Sequence, residues 1–323
     1  MKRICVFAHF NKTNNLEDYV IDYLNALKEL VDEIIFVSTS DIKPHKINLL
    51  KNIVNKIIIK ENKGYDFGSW KDGLFFIKNN YENLPKEIIL CNDSCYISKK
   101  ILKKAVSSMR KNKKLDFWGI TRNFTFGEHI QSYFIGLNYR VLKDKEFWNF
   151  IYKIKHQYRK FDYISKYEYG LTNFLLNKKY IMDTYINLDT SDIFLITFKY
   201  KFLKMIKYFF NVIKYKILNY FLKNKKNKQN ISLIQYKSNA YTKEKNLYTI
   251  VRSVIIYFKT FMYWNITHLN SQELIKMNLP FLKVSKVKEI IEEEGLGKLE
   301  TICLKNNFNF KNIMKHQDNM KNN

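Results

Sequence analysis

Glycine and proline are scarce in this chain, nine and three in 323 residues. Cysteine is scarce too: Cys5, Cys91, Cys95 and Cys303 form no C-x-x-C pair, which excludes a zinc ribbon and a disulfide framework. So few thiols point to a reducing compartment, and the cytosol is expected. No window of 18 apolar residues occurs, so no membrane span is expected. The apolar run of MKRICVFAHF breaks at His9, which makes it a first strand and not a signal peptide. Acidic residues are outnumbered 30 to 56 by basic ones, for a net charge of +26. Only six of the 56 are arginine, the residue that reads bases and phosphates in bidentate fashion. With no reader motif either, no nucleic-acid partner is expected, although a general attraction to anionic surfaces stands.

What is present argues for a folded protein: 46% hydrophobic and 16% aromatic residues in 39.1 kDa, enough for one large or two small domains. Through the first 125 residues, apolar runs (RICVFAHF, DEIIFVST, NKIIIKE, KEIILCND, LDFWGIT) alternate with helix-length segments. Continuous apolar strands between amphipathic helices predict an α/β fold, a Rossmann-type parallel sheet with helices on both faces. Ligands of such sheets sit beyond the carboxyl ends of the strands. The residues there are Ala8-His9-Phe10, Ser38 to Asp41, Asn62 to Trp70 and Asn92-Asp93-Ser94. Three of the few glycines, Gly64, Gly68 and Gly73, crowd into ENKGYDFGSWKDG on this rim, as packing or as ligand contact. The spacing is not G-x-G-x-x-G and no G-K-[ST] occurs, which disfavours a dinucleotide or ATP site.

The stretches NKGYDFGSWKDGL, ILCNDSCYI, FWGITRN, HIQSYFIGLNYRVLKDKEFWNF and YEYGLTNFLL, in that order, resemble the rhamnan synthesis protein F family of bacterial polysaccharide glycosyltransferases. WNITHLNSQELIKMNLPFLK resembles that family's C-terminal signature, with Ile266-Thr267 where a proline-threonine pair is usual. The resemblance implies a GT-A-like fold that binds a nucleotide sugar and transfers the sugar to an acceptor. Asn62-Lys63-Gly64 matches the Asn-x-Gly turn of family 2 glycosyltransferases. Their D-x-D pair, which holds Mg²⁺ or Mn²⁺ against the diphosphate, is represented by Asn92-Asp93-Ser94, with one carboxylate in place of two. Asp93 is therefore the expected ligand of a divalent cation, which keeps waters and substrate oxygens as its other ligands. As an alternative, Asn, Asp and Ser there are a turn after the strand.

Sugar transfer with inversion needs a base, and the resemblance implies Glu168, with Asp66 second. A carboxylate at a helix start also answers the helix dipole. The expected donor site comprises His9, Asn62, Gly64, Tyr65, Asp66, Gly68, Trp70, Asn92, Asp93 and Ser94. His129, Gln131 and Ser132, before an aromatic strand, are expected to bind acceptor or substrate. Between Phe194 and Asn230, apolar residues at helical spacing (Leu195, Phe202, Ile206, Phe209, Ile213) with lysines off the stripe predict a basic amphipathic helical segment. It packs on the catalytic domain or, as favoured here, 195–222 lies on an anionic membrane surface near a lipid-linked glycan acceptor. The expected organisation is a catalytic domain over 1–190, the amphipathic segment and linker over 191–230, a C-terminal helical region over 231–310 and a tail over 311–323. Together these describe a cytoplasmic glycosyltransferase, peripheral on the inner face of the plasma membrane, that builds a surface polysaccharide, with rhamnose the sugar implied by the family. The alternative is a non-catalytic sugar-binding or scaffolding member of a polysaccharide assembly complex.

Overall fold

The computed structural model describes residues 1–124, 126–193 and 271–321, with single positions 195, 196, 198, 199, 206, 210 and 267. The chain forms two compact units, Met1–Leu188 with Ser271–Asn323, and Asp189–Asn270. Most of the predicted amphipathic stripe falls in the second and lies outside the described residues.

The first unit is a mixed α/β body with a central sheet flanked by helices. Strands β1 (Arg3–His9), β2 (Glu33–Ser38), β3 (Lys56–Ile59) and β4 (Glu87–Asn92) pair in the order β3-β2-β1-β4, all parallel. Their β-branched and aromatic runs suit a pleated surface covered on both sides, and Ile4, Val6, Ile35, Val37, Ile88 and Leu90 are buried in one core. Helices α1 (Asp18–Lys28), α2 (Pro44–Lys51), α3 (Tyr65–Asn80) and α4 (Lys99–Lys111) follow the strands. Helix α3 lies directly on β1, because a Cβ at Gly73 would sit 2.3 Å from Cγ1 of Val6 and only glycine permits that approach.

Beyond β4 the sheet departs from the all-parallel expectation. Strand β8 (Phe134–Asn138) is inserted antiparallel between β4 and β6 (Phe117–Asn123), β7 (His129–Ile130) is antiparallel to β6, and β9 (Met182–Ile186) pairs parallel with β6. The physical reason is connection length: β6 and β8 are joined by a short link, which returns the chain antiparallel, whereas a parallel crossover needs a dozen or more residues. Helices α5 (Tyr139–Leu142), α6 (Lys145–Tyr152) and α7 (Lys160–Tyr163) lead into a π-helical turn, Ile164–Tyr169, and α8 (Gly170–Asn177).

The C-terminal part returns to the same body. It carries α9 (Ser271–Lys276), β10 (Phe281–Lys283), α10 (Val284–Glu294), α11 (Leu296–Asn306) and α12 (Phe310–Lys321). Strand β10 pairs antiparallel with the short β5 (Cys95–Ile97), placing Lys283 opposite Cys95. The tail expected over 311–323 is instead helix to Lys321, fixed because Ile313, His316 and Gln317 are buried and the Tyr96 hydroxyl lies 2.7 Å from Nδ1 of His316.

Candidate active site

The residues after β1 and β4 meet first. The backbone N–H of Phe10 donates to Oδ2 of Asp93 at 2.8 Å, and Nε2 of His9 lies 4.0 Å from the same oxygen. His9 is buried, its Nδ1 2.9 Å from Oγ of Ser38 at the end of β2, and burial pulls the imidazole down to about 3, so the ring is neutral. The Asp93 side chain is 14% exposed. Burial pushes its carboxyl up to about 8; the Phe10 N–H opposes this and the nearby Asp66 charge adds to it. Asn92 ties Asp66 to Ser94: its Nδ2 donates to Oδ2 of Asp66 at 2.7 Å, while its Oδ1 accepts from the Ser94 hydroxyl at 2.6 Å.

The glycine-rich turn places Asp66 in the first turn of α3. Gly64 caps that helix with φ +98°, a left-handed conformation that favours glycine, and its carbonyl accepts the Gly68 N–H at 2.8 Å. A Cβ on Gly68 would come 2.5 Å from the Lys63 carbonyl oxygen, so close packing of the turn accounts for the second glycine. Asn62 and Tyr65 are exposed, and the Tyr65 ring lies 4.7 Å from that of Tyr163. Trp70 was expected at the donor. It is instead 1% exposed, packed 4.9 Å from Phe67, with Nε1 donating to the Cys91 carbonyl at 3.0 Å. Four residues beyond Asp66 on α3, it falls one turn deeper, against the sheet.

A second group gathers around Glu168 on the π-helical turn. The Ser132 hydroxyl donates to Oε2 of Glu168, and Nε2 of His129 stands 3.3 Å from Oε1 without the alignment of a hydrogen bond. His129 is fully buried and its Nδ1 lies 2.8 Å from the Gly127 carbonyl. A carbonyl only accepts, so Nδ1 carries the hydrogen. In the neutral ring Nε2 is then the acceptor, 3.3 Å from a carboxylate oxygen. Gln131, expected to face substrate, is buried, with its Oε1 accepting from the Thr121 hydroxyl at 2.7 Å. The chain turns at Ser132 and Tyr133, so Gln131 lies inward on Thr121 while Ser132 meets Glu168.

A residue with no assigned role closes the gap between the groups. Nζ of Lys283 donates to Oγ of Ser94 at 3.2 Å and sits 4.6 Å from the ring centre of Tyr133, the neighbour of Ser132. Its one signal in the sequence is that it ends the stretch MNLPFLK. The polar groups thus form a rim from Glu168 through Ser132, Lys283, Ser94 and Asn92 to Asp66.

For a divalent cation the donor set is thin. No group of three or more His, Cys, Asp or Glu able to hold a metal occurs among the described residues. A cation carried on a diphosphate takes only one or two protein carboxylates, however, and Asp93 and Asp66 supply that number.

A family model described as rhamnan synthesis protein F matches residues 34–259. The chain belongs to the rhamnan synthesis protein F family. That family is of glycosyltransferase type, as the ordered motifs imply. An uncharacterized protein of Sinorhizobium fredii, y4gN, is 29% identical over 148 residues, 44% of this chain and 38% of that one. Among solved structures, TarS of S. aureus is similar with 15% identity and TM-score 0.32, over 45% of this chain and 49% of that one. A Pyrobaculum calidifontis mannosyltransferase in complex with GDP-Man and Mn²⁺ matches at 7% identity and TM-score 0.31, over 44% and 46%. Glucosyl-3-phosphoglycerate synthase of Mycobacterium tuberculosis, in complex with Mn²⁺, UDP-Glc and phosphoglyceric acid, matches at 10% identity and TM-score 0.34, over 58% and 82%.

Proposed function

We propose that the protein is a glycosyltransferase that moves a sugar from a nucleoside-diphosphate sugar to a hydroxyl of a growing surface polysaccharide. The observation that carries this reading is the family match together with a Glu168 carboxylate held by Ser132 and His129 on the same rim as Asp66, Asn92 and Asp93. In the proposed step the acceptor oxygen attacks the anomeric carbon, the bond from that carbon to the diphosphate breaks, and Glu168 takes the hydroxyl proton. Nε2 of His129, 3.3 Å from Oε1, accepts a hydrogen bond from the newly protonated Glu168. Asp66 and Asn92 orient the donor sugar and Asp93 faces the diphosphate. A divalent cation held by Asp93 and Asp66 would withdraw charge from the leaving diphosphate. The family name supports rhamnose as the sugar.

The acceptor is lipid-linked in this reading and the protein acts on the cytoplasmic face of the membrane, held there by basic residues and apolar side chains of 195–222. Exposed Leu195 and Phe210 are consistent with that role. No helix among the described residues is long and apolar enough to cross a membrane.

The test is Glu168→Gln, which keeps the shape and the Ser132 contact but cannot accept the proton. Turnover of a nucleotide sugar found by screening a donor panel should fall by roughly 10² to 10⁴, with donor affinity within a few-fold of the parent. Unchanged turnover removes Glu168 from the role, and no response to any donor in the panel favours the sugar-binding scaffold instead.

A further inference from the structure

Lysines are abundant here, and several that are buried or half-buried are neutralised close by: Lys60 pairs with Asp72, Lys178 with Glu146 and Lys286 with Glu289. Lys283 differs. Among the described residues its hydrogen-bond and ring partners are neutral: the Ser94 hydroxyl and the Tyr133 ring. A half-buried ammonium with no carboxylate retains most of its desolvation penalty, and an anion delivered by a ligand relieves it.

Its position is fixed by the fold. Strand β10 is locked to β5 by the Phe281–Ile97 to Lys283–Cys95 register, and the Val284 N–H donates to the Ser94 carbonyl at 3.1 Å. Phe281 and Leu282 are buried, with the Phe281 ring 5.1 Å from that of Tyr133. Two buried neighbours therefore hold the lysine against Ser94, the residue directly after Asp93.

We propose that Lys283 binds the donor's diphosphate directly, its ammonium supplying positive charge beside the end of β4 in addition to any cation that Asp93 and Asp66 hold. The ammonium donates to a non-bridging phosphate oxygen as a point charge, while the Ser94 hydroxyl keeps it oriented. As the bond between the anomeric carbon and the diphosphate breaks, charge builds on that leaving group within reach of Nζ. Part of diphosphate affinity then survives without any divalent cation. The proposal rests on the glycosyltransferase reading only for what carries the diphosphate.

Inorganic pyrophosphate is the probe, titrated calorimetrically into the full chain in excess EDTA. The parent is expected to bind, Lys283→Met to bind about 10- to 100-fold more weakly, and Lys283→Arg to stay within about threefold of the parent. Melting temperature is followed in each; should Lys283→Met unfold, Ser94→Ala, which removes only the orienting hydroxyl, must still weaken binding. Parent protein that ignores pyrophosphate in EDTA overturns the proposal, as does a folded Lys283→Met that binds like the parent. Pyrophosphate binding that depends on Lys283 in a protein that consumes no nucleotide sugar supports this proposal and overturns the enzymatic reading. Donor turnover unaffected by Lys283→Met does the reverse.

Discussion

Asp66 lies in the first turn of α3 and Asn92, Asp93 and Ser94 at the end of β4 and its turn into β5, all on the parallel half of the sheet, whereas Ser132, Glu168 and Lys283 come from the approach to an antiparallel strand, a π-helical turn and a C-terminal strand. The first group is woven into the core beneath it: Asn92 is buried, Asp93 is clasped by the Phe10 N–H, and Trp70 one turn below Asp66 bonds to the Cys91 carbonyl. The second group stands at the ends of elements that meet only in the finished fold, with the buried Nε2 of His129 lacking a hydrogen bond and the Lys283 ammonium set on the Ser94 hydroxyl. The contrast teaches a division of labour in which the parallel side fixes the frame and the assembled side supplies reactive and charged groups. π-Helical turns, which insert a residue into a helix at a cost in stability, often occur at such functional positions.

The sharpest way to break this comparison is on the frame. Trp70→Ala should destabilise the protein by about 3–5 kcal/mol, because a buried indole leaves a cavity and an unpaired Cys91 carbonyl. Chemical denaturation measures it. A variant as stable as the parent that binds nucleotide sugar poorly would return Trp70 to the donor site expected from the sequence.

A smaller effect is expected on the assembled side. His129→Asn preserves a donor to the Gly127 carbonyl while removing Nε2, so donor KM should hold while kcat drops by about 10- to 100-fold. Melting temperature supplies a second readout, since a loss of kcat in a variant as stable as the parent places His129 in the chemistry. Equal losses of stability and of kcat would mean that His129 only fills space.

How legible each side was follows the same division. The strand runs of β1 to β4 are dense in Ile, Val and Phe, so the fold of this half, and the position of Asp66 and Asp93 beyond it, could be read from the chain alone. FIGLN is as plainly a strand, but its direction depends on how the chain returns from β6, which no periodicity records. Lys283 was illegible because its neighbour Ser94 is far away in sequence and one lysine among fifty carries no mark. Trp70 looked like a ligand platform because of the glycines around it, yet those glycines allow the turn and the helix to pack tightly.

Two opposite titrations meet at the frame. Asp93 holds its proton to about 8 in the folded chain and releases it near 3.8 when unfolded, so between those values the native state binds the extra proton and stability falls as pH rises. Neutral His9 works the other way: from about 3 to 6.5 the unfolded state binds more protons, and stability rises with pH. Asp93→Asn keeps an oxygen for the Phe10 N–H but has nothing to ionise. It should therefore gain on the parent by at most about 1.4 kcal/mol for each pH unit, across roughly pH 4 to 8, while the His9 trend at lower pH persists in both. Paired denaturation curves at several pH values measure the difference. A gain that grows with pH, together with weaker nucleotide-sugar binding, identifies Asp93 as a charge kept at the frame for a ligand in spite of its effect on stability. A flat difference means that Asp93 is ionised throughout and that its burial is offset by partners already in place, which would make it a turn residue of the strand end.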